Sequence, residues 1–302
     1  MVKNYLVLFV GFCSMVGMAQ SPRLFKVEDF DLKGPVKTCE VVTDYGKEIF
    51  EFNDEGILVK STTQYNEQDQ DITYYMIGNG HLSEKRMESF KDNVLDKATS
   101  MANFYEVDTT QNKVVSEKIV SYDKNFVEHQ EYRYDESGRL VGIISSHLDG
   151  VDETNITYEV YQNERTESHF LNGVLEKTIR VSENEQGKTV LTKEFVDGNP
   201  DTATEQKYDA TGKLVSEELF DYDEANKRFK SREKHIFGYD AEGVLTEETI
   251  IRGAARSKKE YIFQFDSHKP KNWVKKIVLP DNDYTTRKIE YYLVAEEAEK
   301  PE

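Results

Sequence analysis

Cysteine is almost missing from this chain of 302 residues, which carries Cys13 and Cys39 and no others. Cys13 falls in a leader-like start, so after processing Cys39 stands alone and no intrachain disulfide can form. Cys39 sits in the alternating run "VKTCEVV", where a small buried residue is the expected role. Proline is scarce at six, and Pro22, Pro35 and Pro301 lie near the ends, outside strand patterns. Basic residues are outnumbered, 39 Lys and Arg against 57 Asp and Glu, for a formal charge of −18. With no basic stripe in the sequence, such a chain repels phosphate backbones, which excludes nucleic acid as the partner. Twelve per cent aromatics exclude a disordered acidic polymer, which would be poor in Tyr and Phe.

Chemical signatures are missing too. The six histidines, His81, His129, His147, His169, His235 and His268, are dispersed, with no HxH, HExxH or Cys–His spacing that would hold zinc. No G-x-S-x-G elbow, Walker loop or dinucleotide glycine pattern is present. The acidic stretch 281–290, "DNDYTTRKIE", begins like a calcium loop but lacks the central glycine, and Tyr292 stands where a bidentate glutamate belongs. The expectation is therefore no metal, no cofactor and no catalytic residue.

A long apolar run occurs once, at the start. Lys3 gives a positive end, Tyr5–Phe12 an apolar stretch too short to span a bilayer, and Gly17-Met18-Ala19 the small residues of a cleavage site. This predicts a signal peptide over 1–19, cut between Ala19 and Gln20. Lipid attachment at Cys13 would need a small residue before it, and Phe12 is there instead. Cutting after Ala19 leaves 283 residues, and losing Lys3 moves the formal charge to −19. The product is expected to be exported to the periplasm, the cell surface or the medium, with no transmembrane segment in the mature chain.

What the chain does contain is one turn written repeatedly. "YRYDESGRL" at 132–140 recurs as "KYDATGKLV" from 207 and "FGYDAEGVL" from 237. Tyr132 and Tyr134 are two residues apart and so share one face of a strand. Asp135, Asp209 and Asp240 suit the first position of a type I turn, and Gly138, Gly212 and Gly243 suit the left-handed position after it. "FEFNDEGILVK" from 50 varies the theme, while "FDYDEANKRF" and "YIFQFDSHKPKNW" are weaker copies. Asn172-Gly173 and Asn79-Gly80 fit tighter two-residue turns. A helical period is lacking throughout, and 81–101 is the one stretch that offers a helix.

Many short strands with regular turn signals imply an all-β protein, an antiparallel array of tandem hairpins. Each hairpin is marginal alone and is stabilised by stacking its aromatic face on neighbours. The expectation is an elongated, twisted and curved sheet over 20–295, with a subdivision near 145–155 into two packed segments, followed by a disordered acidic tail at 296–302.

The aromatic-x-Tyr-Asp-x-x-Gly-x-Leu pattern resembles the YD repeat of RHS-type proteins and of small secreted bacterial proteins. "DLKGPVKTCEVVTDYG" (31–46) and "NWVKKI…TTRKIEYY" (272–292) are similar to the ends of the latter. The resemblance implies a β-rich extracytoplasmic repeat scaffold with no assigned activity. In the large RHS proteins the repeats form a shell around a toxic C-terminal domain; "LVAEEAEKPE" leaves no room for one, so that role is not carried over.

The function expected is a scaffold, not an enzyme, that binds a protein or carbohydrate partner at the cell envelope. The alternatives are a polysaccharide-acting enzyme and an immunity-like or antitoxin-like envelope protein. Tyr132, Tyr134, Tyr208, Tyr239 and Trp273 are the candidate partner-binding rings. Against that stands the reading in which the same rings pack rung on rung.

Overall fold

The computed structural model describes residues 22–43 and 46–293; the leader, its Ala19–Gln20 junction and the tail at 296–302 lie outside them. After a short 3-10 turn, Val27–Phe30, the chain runs through 21 antiparallel strands. These are β1 (Val36–Thr43), β2 (Gly46–Phe52), β3 (Leu58–Gln64), β4 (Gln70–Gly78), β5 (His81–Lys91), β6 (Val94–Leu95) and β7 (Met101–Asp108). There follow β8 (Val114–Ser121), β9 (Val127–Tyr134), β10 (Leu140–His147), β11 (Gly150–Tyr161), β12 (Glu164–Leu171), β13 (Val174–Asn184) and β14 (Gly187–Val196). The last are β15 (Asn199–Asp209), β16 (Leu214–Asp223), β17 (Arg228–Tyr239), β18 (Leu245–Arg252), β19 (Ala255–Phe265), β20 (Trp273–Leu279) and β21 (Asp283–Tyr291).

Among the described residues the sheet closes on itself and leaves no free edge. Each strand pairs with the next, β5 passes over the two-residue β6 to reach β7, and β21 returns to pair with β1. The seam is a full ladder, with Cys39 opposite Ile289 and Val41 opposite Arg287. The elongated open sheet is thus overturned: twenty strands close into a barrel. The physical reason is that every unpaired edge exposes a row of N–H and C=O groups, and closure alone removes both edges. The same closure replaces the open stack of repeated hairpins that the resemblance to YD and RHS repeats implies. At 145–155 the ladder continues without a break, Ser145 facing Asp152 and His147 facing Gly150. The helix candidate at 81–101 is strand over His81–Lys91 and Val94–Leu95, with turns between them and before Met101. β5 pairs with β4 on one side and with β7 on the other, and a stretch without caps or a regular apolar stripe has nothing to hold it helical against two ladders.

Registers carry one face around the ring. Cys39 lies opposite Phe50, Phe50 opposite Ser61, and the series continues through Thr73, Met87 and Met101 to Ser121. This face holds Tyr132, Ile143, Ile156, His169, Glu248 and Arg287, all buried, while its alternates on β11 and β19 are exposed. Crowding of this kind marks the concave side, so it faces the lumen.

Among the described residues no single core fills that lumen. The buried hydrophobic residues include two separate clusters, one around Val36, Cys39 and Phe52 and one around Val115, Tyr132 and Ile143. The first is completed by the N-terminal segment, which lies on the lumen wall at the seam. Phe30 packs on Phe50 and Phe52, Phe25 meets Tyr75 edge-on, and Val27 and Leu32 are buried with them. Polar groups fix it in place. Arg287 donates to the carbonyls of Phe30 (3.0 Å) and Asp31 (3.1 Å), and its guanidinium lies 3.5 Å from the centre of the Trp273 ring. Trp273 Nε1 in turn donates to the Asp31 carboxylate at 2.8 Å. Asn272, also buried, exchanges hydrogen bonds of 2.8 Å with the backbone of Lys33.

Candidate functional site

Because strands alternate in direction, every turn of the repeated kind falls on the same rim except the weaker copy at 223–228, between β16 and β17, which lies on the opposite one. Asn53–Ile57, Asp135–Arg139, Asp209–Lys213, Asp240–Val244 and the longer 266–272 connection all lie there, beside the N-terminal segment. In the Asp135 turn the Gly138 amide donates to the Asp135 carbonyl (2.9 Å), and the Asp135 amide donates to the carbonyl of Arg139 (2.8 Å). The side chain finishes the turn, since Asp135 Oδ1 accepts from the amides of Ser137 and Arg139 at 2.9 Å each. These donors favour the ionised form and hold the Asp135 carboxyl well below its usual range, at about 2. Asp209 and Asp240 repeat the arrangement with Lys213 and Val244, and Gly138, Gly212 and Gly243 have φ of 76°, 85° and 82°. These residues shape the rim.

The five rings sit on the lumen side and are spent on packing. Tyr132 is 1% exposed and Tyr134 8%, too little for stacking on any partner. Tyr132 donates to Glu117 at 2.8 Å, and Lys113 lies over Tyr134. Tyr208 lies under Lys188, and Tyr239 under Lys213 while it donates to the Leu214 carbonyl. Trp273 is held between Arg287 and Asp31. The rings thus hold rungs together, strand to neighbouring strand, and do not converge on a common site.

Polar networks line the wall between them. His235 lies between two carboxylates, Nδ1 at 2.5 Å from Glu248 and Nε2 at 2.8 Å from Glu233, with Arg252 on Glu233 and Tyr261 donating to Glu248. The two carboxylates raise the affinity of His235 for its proton. Cys39 is buried at the seam, and desolvation pushes its thiol up to about 11. Among the described residues no group of three or more His, Cys, Asp or Glu side chains is arranged to hold a metal ion. No helix among them is long and apolar enough to cross a membrane.

A concavity lies at the opposite mouth, where β8–β9, β10–β11 and β12–β13 turn. A cleft of about 680 Å³ is lined there by Phe126, Ile143, Leu148 and Leu171, together with Glu128, Asp149, Asp152 and Glu176. Leu148 is 86% exposed at a hairpin tip and Val151, the next strand residue but one, is 63% exposed. None of these residues is a candidate from sequence. The one available signal is Leu148 itself, an apolar residue in the two-residue turn His147-Leu148-Asp149-Gly150, where Asn, Asp or Gly is ordinary.

Comparison with known proteins gives the chain no family. No family model matches it, and no curated protein does. A solved porin-like protein from Bacteroides uniformis ATCC 8492 is similar over 84% of this chain and 96% of its own, at 10% identity and a TM-score of 0.36. A TcdB2-TccC3 structure is similar over 90% of this chain but 18% of its own, at 12% identity and a TM-score of 0.23.

Proposed function

We propose that this chain is an exported β-barrel of the cell envelope that binds a protein or carbohydrate partner in its open mouth and catalyses no reaction. The observation that carries the reading is the cleft at the mouth away from the N-terminal segment, with an exposed leucine at its lip. Apolar side chains offered to solvent around a concavity are the usual mark of a site that a partner covers.

The barrel stands in water on this reading. Its outward face carries ion pairs around the ring: Lys60 with Glu51, Arg133 with Glu131, Lys207 with Glu205, Lys234 with Glu218 and Lys258 with Glu247. A barrel in lipid needs an apolar band there, and each outward Lys or Arg at mid-bilayer costs about 2–4 kcal/mol. Strands of this kind stay wet outside and line a polar lumen inside.

The test is a comparison of the processed protein with the variant Leu148→Asp on arrays of envelope glycans and of peptides. A ligand bound by the parent and lost by the variant supports the reading. Ligands retained in full by the variant, or none at all for the parent, overturn it.

A further inference from the structure

We propose that the occupant of this mouth is a polypeptide segment that alternates basic and aliphatic side chains; this rests on the reading that the mouth is a binding site. The lining combines two chemistries. Phe126, Ile143, Leu148 and Leu171 give it apolar patches, and four carboxylates stand among them, with no Lys or Arg in the lining at all. That is unusual on a chain whose other carboxylates are so often paired with a neighbouring base.

The carboxylates differ in how far they are already satisfied. Glu128 accepts from Gln130 Nε2 at 2.8 Å, and Asp152 accepts from Asn172 Nδ2 at 2.8 Å with His147 at 3.9 Å. Asp149 and Glu176 have no hydrogen-bond or ion-pair partner among the described residues. Two such carboxylates beside exposed apolar surface are a site of negative potential that a low-dielectric wall strengthens. A cation brought in on an aliphatic stem answers both features, since Lys and Arg bury their stems while the charged head pairs.

Other occupants fit less well. A sugar site wants an open aromatic face, and Phe126 at the edge is the lining's one aromatic ring. An anionic lipid surface would be repelled by the carboxylates. Addition of a partner strand is closed off because β9 through β13 are each paired on both sides, so recognition must go through side chains.

Fluorescence polarisation of labelled hexapeptides tests the proposal. Lys-Leu-Lys-Val-Lys-Leu is expected to bind, and Glu-Leu-Glu-Val-Glu-Leu and Lys-Ser-Lys-Ser-Lys-Ser at least tenfold more weakly. The variant Asp149→Asn, Glu176→Gln should lose tenfold or more in affinity for the basic-aliphatic peptide. A charge-matched control on the outward face, Glu106→Gln, Glu159→Gln, should lose less than twofold. Equal losses in the two variants would mean attraction to the overall acidic charge and would overturn the proposal, as would equal binding of the Lys-Ser peptide. A glycan that binds and is lost on Leu148→Asp, with no peptide bound, would overturn this proposal and leave the mouth as a binding site.

Discussion

Replacement of Arg287 by alanine tests whether the barrel is held shut at its seam. The side chain is buried, reaches from β21 into the lumen and caps two carbonyls of the N-terminal segment at 3.0 and 3.1 Å. Burial lowers its affinity for the proton, so the charge is kept at a desolvation cost that these contacts offset. Alanine leaves both carbonyls without that donor, at about 1–3 kcal/mol each, and removes stacking over Trp273 worth roughly 0.5–2 kcal/mol. Allowing for overlap and relaxation, the loss should be about 3–5 kcal/mol, the usual cost of breaking a buried charged contact. The loss should be local. β1 and β21 also pair with β2 and β20, so unlatching the segment frees the seam before the rest of the ring. Hydrogen exchange is the suitable assay, because it reads opening strand by strand. Amides of 38–42 and 286–290 should exchange roughly 100- to 3,000-fold faster, at 1.4 kcal/mol per decade, while those of β12–β16 change less than tenfold. Arg287→Lys keeps the charge but offers one compact donor in place of a fork, and should fall between. Seam amides that exchange at the parent rate in Arg287→Ala would refute the latch; equal acceleration in β12–β16 would refute its locality.

The same geometry sets the outcome of four other experiments. Gly138→Ala should cost about 1 kcal/mol, the penalty of a left-handed residue with open space around it, and be measurable by urea titration. Gly187→Ala should cost several times more, because its Cβ would lie 2.0 Å from the carbonyl oxygen of Tyr208 in the paired strand; similar losses for the two would contradict the register. His235 has a raised folded-state proton affinity, so its contribution is fully present below the unfolded value near 6.5 and is lost as pH rises through the folded value. His235→Gln should remove that dependence from urea midpoints measured between pH 5 and 9; an unchanged pH profile would show that Glu233 and Glu248 do not hold the imidazolium. Cys39, buried with its thiol near 11, should resist a thiol reagent at pH 8 in the folded protein and react fully in urea. Rapid labelling of the folded protein would mean that the seam opens freely.

Much of the local structure was legible from residue types alone. An Asp that can accept from amides two and four residues on, followed by a Gly free to take positive φ, forces a reversal wherever it is written. The alternation of Tyr132 with Arg133 and Tyr134 likewise assigns faces before any partner is known. These are short-range facts, settled within about five residues. The site was another matter. Rings that read as an exposed binding face are buried or covered by Lys113, Lys188, Lys213 and Arg287, and the mouth is assembled from three separate turns that no short-range pattern links.

The amino-acid order by itself determined an all-β chain, the place of its repeated reversals and the face on which each strand side chain falls. Only the tertiary structure decided that Val36–Thr43 meets Asp283–Tyr291 across about 240 intervening residues. Backbone hydrogen bonds are the same whatever side chains flank them, so a pairing between first and last strands leaves no residue pattern to read. It is chosen by the accumulated twist of twenty strands and by the cost of two bare edges. The same closure turned one face inward, and with it made the aromatic side a wall and Leu148 a lip.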